Sequence, residues 1–244
     1  MAKTPVLVFI CISFISLLFS AINPATPFKK DQTQQQDHAP VVKVISPANN
    51  STFAPGAQVH YSVTVSDQED GDSKYDEINQ KEVLLEVKYL SDEPKLSAEL
   101  SKAVQNDPPG LAAIRTSNCF NCHSFNSKGI GPSFSDINKK YKPVAADMAL
   151  LGKRIHEGSS GIWGDVKMPS HPELSNEQIQ SIVRWIMQNA SAPGIDYYIG
   201  TEGSFPLPDK NGAFLLTASY TDHGTATDST HRLKGQDVVV IRAK

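Results

Sequence analysis

The pattern of apolar and polar positions divides the chain into four stretches. After Lys3, residues Pro5 to Ile22 form an apolar run without a charge, the signature of a secretory signal: a positive start followed by an apolar stretch. Its cut would fall near Ser20-Ala21 or Ala25. The run is also just long enough to span a bilayer, so an uncleaved N-terminal anchor is the alternative. Cys11 follows Ile10 rather than the small residue of a lipoprotein site. Residues 1–25 are therefore assigned to a signal or anchor, and 26–39, which include the Gln-rich tract from Gln32, to a linker without periodicity.

From Val41 the period becomes two. Val41 to Ile45, Val59 to Val65 and Val83 to Leu90 read as strands, with a turn at Pro55-Gly56. The pattern returns after Ala190, with strands at Tyr197 to Ile199, Ala213 to Tyr220 and Asp237 to Arg242. Between these blocks the spacing is helical. Ser97 to Asn106 is weakly so. Asp107-Pro108 reads as an N-cap with Pro at the first position, opening a helix that ends near Ser117. Asp147 to Glu157 carries Met148, Leu151 and Ile155 on one side. Ser175 to Asn189 has a capping box of Ser175 and Gln178 and a stripe of Ile179, Ile182, Val183 and Ile186. Gly129 to Pro132 and Gly158 to Pro172 are loops.

The expected fold is α + β and multidomain. The front β block (40–95) has too few strands for a sandwich of about seven, and so does the back block (195–244). Unpaired edges are an aggregation liability. One sandwich made of both blocks, with the helical stretch 107–190 inserted between its strands, removes them, and insertion where chain ends lie close is tolerated. The alternative is a front β module and a separate β tail.

The 244 residues carry a formal net charge of −3 with no long basic run, which argues against nucleic-acid binding. Beyond the apolar N-terminal run there are two cysteines, Cys119 and Cys122. An exported chain normally uses cysteines for disulfides; here both lie in Cys119-Phe120-Asn121-Cys122-His123. Two thiols on one helical turn can add to the two vinyl groups of a haem, and the following His is placed as ligand to the iron. A zinc site lacks a second short-spaced ligand pair, and a thioredoxin-like pair lacks its βαβ context. One motif implies one haem, without an assigned catalytic residue. Met168, in a Gly- and Pro-rich loop before Pro169, is the expected sixth ligand, with His171 and His156 as alternatives; Met148 and Met187 sit at core positions of helices. Asp67, Glu69, Asp70 and Asp72 form an acidic run that offers oxygen ligands for Ca²⁺ or a solvated turn.

Pro108 to Ala190 resembles a small class I c-type cytochrome domain: a helix entering Cys119–His123, the loop Gly131-Pro132, a middle helix, the Met168-Pro169 loop and a closing helix with Trp185. The resemblance implies that the Pro132 carbonyl accepts a hydrogen bond from the His123 ring, and that Trp163 and Lys153 are partners of the haem propionates. The β blocks are similar to Ig-like or PKD-type segments, a combination that resembles parts of periplasmic sugar-dehydrogenase systems. That likeness implies a periplasmic electron carrier, not an enzyme, with a dehydrogenase as donor and an oxidase or another cytochrome as acceptor. A peroxidase-like haem enzyme or sensor with an open sixth position is the alternative.

Overall fold

The structure is a computed structural model that describes Met1 and residues 36–91, 93–101 and 106–244. The expected signal or anchor and most of the linker lie outside the described residues. No helix among the described residues is long and apolar enough to cross a membrane.

Two sheets face each other. The first contains β1 (Val41–Ser46), β3 (Gln58–Asp67), β4 (Gly71–Asp72) and β7 (Glu202–Pro206). β3 pairs antiparallel with β1 on one edge; β4 and β7 pair with opposite ends of its other edge. The second sheet has the order β2 (Ser51–Phe53), β9 (Lys234–Ala243), β8 (Gly212–Thr221), β5 (Leu84–Leu90), β6 (Ile195–Ile199). All its pairs are antiparallel except β2 with β9, which is parallel.

The period-two pattern accounts for the first sheet. Val59, Tyr61, Val63 and Val65 on β3 are buried while His60 and Thr64 face solvent. They meet Leu85, Val87, Phe214, Leu216, Tyr220 and Ile241 of the second sheet in one core. β5 and β8 are apolar on both faces for a second reason. Their other faces are also covered, Leu90, Ala213 and Leu215 packing with Leu96 of helix α1 (Glu93–Leu100) and Leu84 with the helical segment.

That segment lies between β5 and β6 in the chain, so a helical region is inserted into a two-sheet scaffold. It comprises α2 (Pro109–Thr116), α3 (Phe134–Lys140), α4 (Ala145–Glu157) and α5 (Asn176–Asn189). The capping box at Ser175 and Gln178 is present. α2 crosses α5 closely at Gly110, where a Cβ would stand 2.2 Å from the Ser181 carbonyl oxygen. Leu111 and Ile114 of α2 join Ile182, Val183, Trp185 and Ile186 of α5 in the segment's core. The core continues onto the sheet: Tyr197 of β6 stacks on Phe125 at 4.8 Å and meets Trp185 edge-on at 5.7 Å.

Some elements differ from expectation. β2, β4, β7 and α3 are absent from the sequence reading, and α1 begins before Ser97. Asp107 is not the cap of α2. Pro108 occupies that position without a side-chain bond and Pro109 is the first helical residue. The Asp107 carboxylate is instead taken by Arg115 and Lys234.

Candidate functional site

α2 ends at Thr116, and the chain turns at Asn118, whose φ of 58° is left-handed. A single 3₁₀ turn, Cys119–Asn121, follows. The Cys119 carbonyl accepts from the amides of Cys122 (3.2 Å) and His123 (2.9 Å), which places the cysteines one turn apart. Lys81 of the β scaffold donates to the Asn121 carbonyl at 3.0 Å and braces this turn. Burial pushes the Cys119 thiol up to about 12. It is therefore no ready thiolate, which counts against a dithiol redox centre.

His123 Nδ1 lies 2.7 Å from the Pro132 carbonyl oxygen. A carbonyl can only accept, so Nδ1 carries the proton and Nε2 keeps its lone pair for a metal. Burial lowers the pKa of the ring, the Pro132 bond opposing it; the neutral, metal-binding form is favoured. Phe134 stacks on the ring with centroids 5.4 Å apart. On the adjacent loop Gly131 donates to the Cys122 carbonyl at 2.8 Å. A Cβ at Gly131 would stand 2.8 Å from His123 Cε1, so the loop's close approach requires glycine.

Met168 is held by its backbone. It exchanges two hydrogen bonds with Ser159, at 2.8 and 3.2 Å, which pinch the loop after α4. Gly158, at φ 80°, allows the pinch: a Cβ there would be 2.7 Å from the Met168 carbonyl oxygen.

Cys119, Cys122, His123, Pro132, Trp163 and Met168 line one cavity of about 300 Å³. Ile114, Ile137, Leu151, Ile155, Val183 and Ile186 supply apolar wall. Lys153 does not reach it. It pairs with Glu157 at 3.8 Å on the exposed side of α4 and lines a separate hollow together with His156. His156 does not line the haem cavity, whereas His171 does and bonds Glu173 at 2.8 Å. Met148 and Met187 pack in the helical core. Arg154, one residue from Lys153, does line the cavity and bonds the Tyr141 hydroxyl. Lys140 lies 4.4 Å over the ring of Trp163. Arg154 was legible in principle, because it is three residues after Leu151 and next to Ile155, the two apolar positions of the same face.

The acidic run does not gather as a cation loop. Glu69 pairs with His38 at 2.8 Å, Asp70 accepts from Tyr220 and His223, and Asp72 accepts from Lys74 in capping a short 3₁₀ helix. Asp67 accepts the Glu69 and Asp70 amides on Oδ1. Glu69, Asp70 and Asp72 are each committed to a separate partner, so these four residues do not gather around one cation, which corrects the calcium reading of this run. Among the described residues no three His, Cys, Asp or Glu side chains are assembled around a metal position.

Two thiols one turn apart, an imidazole with one nitrogen tied and a thioether on one apolar cavity define a small helical segment built for a covalent haem. The cytochrome c family model matches residues 109–190. Cytochrome c-551 of Pseudomonas aeruginosa is 32% identical over 81 residues, which are 33% of this chain and 75% of that protein. Cytochrome c2 of Rubrivivax gelatinosus is 38% identical over 72 residues, 29% of this chain and 85% of that protein. Among solved structures, Nitrosomonas europaea cytochrome c552 is 31% identical over 32% of this chain and 96% of its own, with a TM-score of 0.31. The chain belongs to the cytochrome c family through this segment. Its cofactor is covalent haem c, attached through Cys119 and Cys122, and its activity is electron carriage.

Proposed function

We propose that the protein is an exported, mono-haem electron carrier in which His123 and Met168 are the axial ligands. The observation that carries this reading is the shared cavity: the free face of a Pro132-bonded imidazole and a backbone-pinned thioether on one apolar chamber that also holds both cysteines. The bound group supplies a one-electron iron couple. The protein's part is positional. Pro132 fixes the tautomer and orientation of His123. The Ser159–Met168 bridge holds the Met168 backbone at the cavity, and the isoleucine, leucine and valine walls exclude water. Holding both ligands in both oxidation states keeps reorganisation small. Trp163 can donate an N–H to a propionate, and Arg154 and Lys140 supply the positive charge first expected of Lys153.

The finer assignments belong to the same reading. The sandwich is an Ig-like or PKD-type module, supported by two packed, mostly antiparallel sheets. The location is the periplasm, supported by the apolar N-terminal run. The partners are redox proteins, with a periplasmic dehydrogenase as donor and an oxidase or another cytochrome as acceptor. The segment boundaries at about residues 107, 190 and 195 are supported by the start of α2, the end of α5 and the start of β6, whereas the boundary at about 95 falls within α1.

A pyridine haemochrome assay with an absorption spectrum of the exported protein tests the assignment. A single haem c, low-spin and with a weak near-infrared Met–iron band, is expected. Met168→Ala should lose that band and lower the reduction potential. A high-spin ferric wild type would favour the peroxidase-like alternative, and an unchanged Met168→Ala spectrum would move the ligand to His171.

A further inference from the structure

One pole of the sandwich carries carboxylate oxygens that the fold leaves unused. Asp222, just beyond β8, is completely buried. Its Oδ1 accepts the amides of Gly224 (3.0 Å) and Leu233 (2.8 Å), but its Oδ2 is buried with no partner. Asp67, the last residue of β3, repeats the arrangement, with Oδ1 spent on the amides of Glu69 and Asp70 and Oδ2 buried without a partner. Asp37 has both carboxylate oxygens buried and unpartnered. A buried carboxylate oxygen without donor or counter-charge is costly, and folded proteins satisfy it by pairing or by metal binding.

The three carboxylates are linked through their neighbours. His38, next to Asp37, is 2.8 Å from Glu69, whose amide bonds Asp67. Asp70, whose amide bonds the same Asp67 oxygen, accepts from the amide of His223 at 3.0 Å, the residue after Asp222. Burial above all, with the charges of Asp37 and Asp67, pushes the pKa of Asp222 upward, against the amides of Leu233 and Gly224. The neighbouring histidines do not neutralise the set. His38 is on Glu69, and His223 is shared by Asp70 and Glu82.

We propose that Asp37, Asp67 and Asp222 form a Ca²⁺ site that ties the segment before β1 to the ends of β3 and β8. Three carboxylates with four unspent oxygens from three distant segments suit Ca²⁺, which takes oxygen ligands in irregular shells of six to eight; Mg²⁺ demands a compact octahedron. As they stand the three side chains are not assembled around one metal position. Closure falls to Asp37, which lies outside the strands with both oxygens unspent. The site differs from a loop built of Asp67, Glu69, Asp70 and Asp72, since three of those carboxylates have other partners. It is independent of how the haem iron is ligated.

The test uses holoprotein stripped with EGTA and titrated with CaCl₂ by calorimetry, with melting followed by far-ultraviolet circular dichroism. One Ca²⁺ per chain is expected. The melting temperature should rise by about 5 °C or more at saturation, with a much smaller response to MgCl₂ and an unchanged haem spectrum. Asp222→Asn and, as a check against a folding defect, Asp37→Asn should both abolish the binding heat. No binding heat in stripped wild type would overturn the proposal, as would an equal response to MgCl₂. A higher melting temperature for Asp222→Asn without a calcium response would also overturn it, because the pole would then hold a proton rather than a metal.

Discussion

Arg115 Nη1 lies 3.0 Å from Asp107 Oδ2, with the two side chains 3% and 8% exposed. The pair lies within the haem-bearing segment, and each partner also reaches the sheet beneath it. Arg115 also donates to the Ser219 hydroxyl (3.0 Å), the Ser219 carbonyl (3.1 Å) and the Glu82 carbonyl (3.2 Å), and Lys234 of β9 approaches Asp107 at 2.5 Å. Helix α2, which leads into Cys119, is thus fastened to β8 through a buried guanidinium that makes four hydrogen bonds.

Removing one partner of such a pair leaves the other buried and uncompensated, a loss of about 3–5 kcal/mol. Arg115→Met is expected at the lower end of that range, because Lys234 still neutralises Asp107. Urea unfolding of the holoprotein measures it. A double change with Asp107→Asn should cost clearly less than the sum of the single changes; additivity would show that the two groups are not coupled.

Gly131→Ala and Pro132→Ala should behave oppositely for adjacent positions. The alanine Cβ at 131 meets the His123 ring at 2.8 Å and must push the ring or the loop aside. Pro132 acts through its carbonyl, which alanine keeps. The yield of low-spin holoprotein should fall about tenfold for Gly131→Ala, the scale expected when the support of a metal ligand is disturbed. It should change little for Pro132→Ala. Quantitative absorption spectra of both variants decide this.

The imidazole of His223 bonds Asp70 at 3.0 Å and pairs with Glu82 at 3.4 Å. The bond to Glu82, with the charges of Glu82 and Asp70, raises its pKa from 6.5 to about 9, against the opposing effect of burial. A base with a higher pKa in the folded state binds its proton more tightly there. Its contribution to stability is therefore complete below pH 6.5 and is lost as pH rises through about 9. The difference in melting temperature between wild type and His223→Asn should be largest at pH 6 and shrink to near zero by pH 10. A difference that grows with pH would contradict this account.

A chain ending at Ala190 would retain β1 to β5 and the helices but lose β6 to β9. β5 would then lack both of its neighbours, and β3 would lose β7. Such a protein should show no cooperative β-sheet transition in circular dichroism, whatever its helices do. Cooperative unfolding of its front strands would refute the single interleaved scaffold.

The parts of this protein that were legible in its sequence are those governed by short-range rules. The alternation of Val59 to Val65 follows from one buried face, and the Ser175–Gln178 box from unsatisfied amides at a helix start. The haem motif is a local spacing rule, and the Pro132 bond came with the resemblance it supports. Illegible were contacts set by distant partners. Asp107 resembles a cap until Arg115 and Lys234 claim its carboxylate, the latter from 127 positions away. β2 and β7 are short, with little alternation of their own, and exist because β9 and β3 offer them an edge. Lys153 and Arg154 are adjacent cations, and only the rotation of α4 decides which one faces the cavity. α3 carried a usable signal in Ser133, whose side chain accepts the Asp136 amide at 3.0 Å, but the helix is short.

The chain leaves the second sheet at the end of β5 and re-enters it on the neighbouring strand, with Lys88 opposite Ile195 and the Tyr89 amide bonded to the Gly194 carbonyl at 2.8 Å. A carrier hung on one tether turns freely and offers its face in any direction. This one is bolted at both ends to the same plate, with Arg115 and Tyr197 as further fixings, so its haem edge keeps a set heading relative to the sandwich. A redox partner must therefore approach along whatever bearing the sandwich leaves clear, and the scaffold takes part in selecting it.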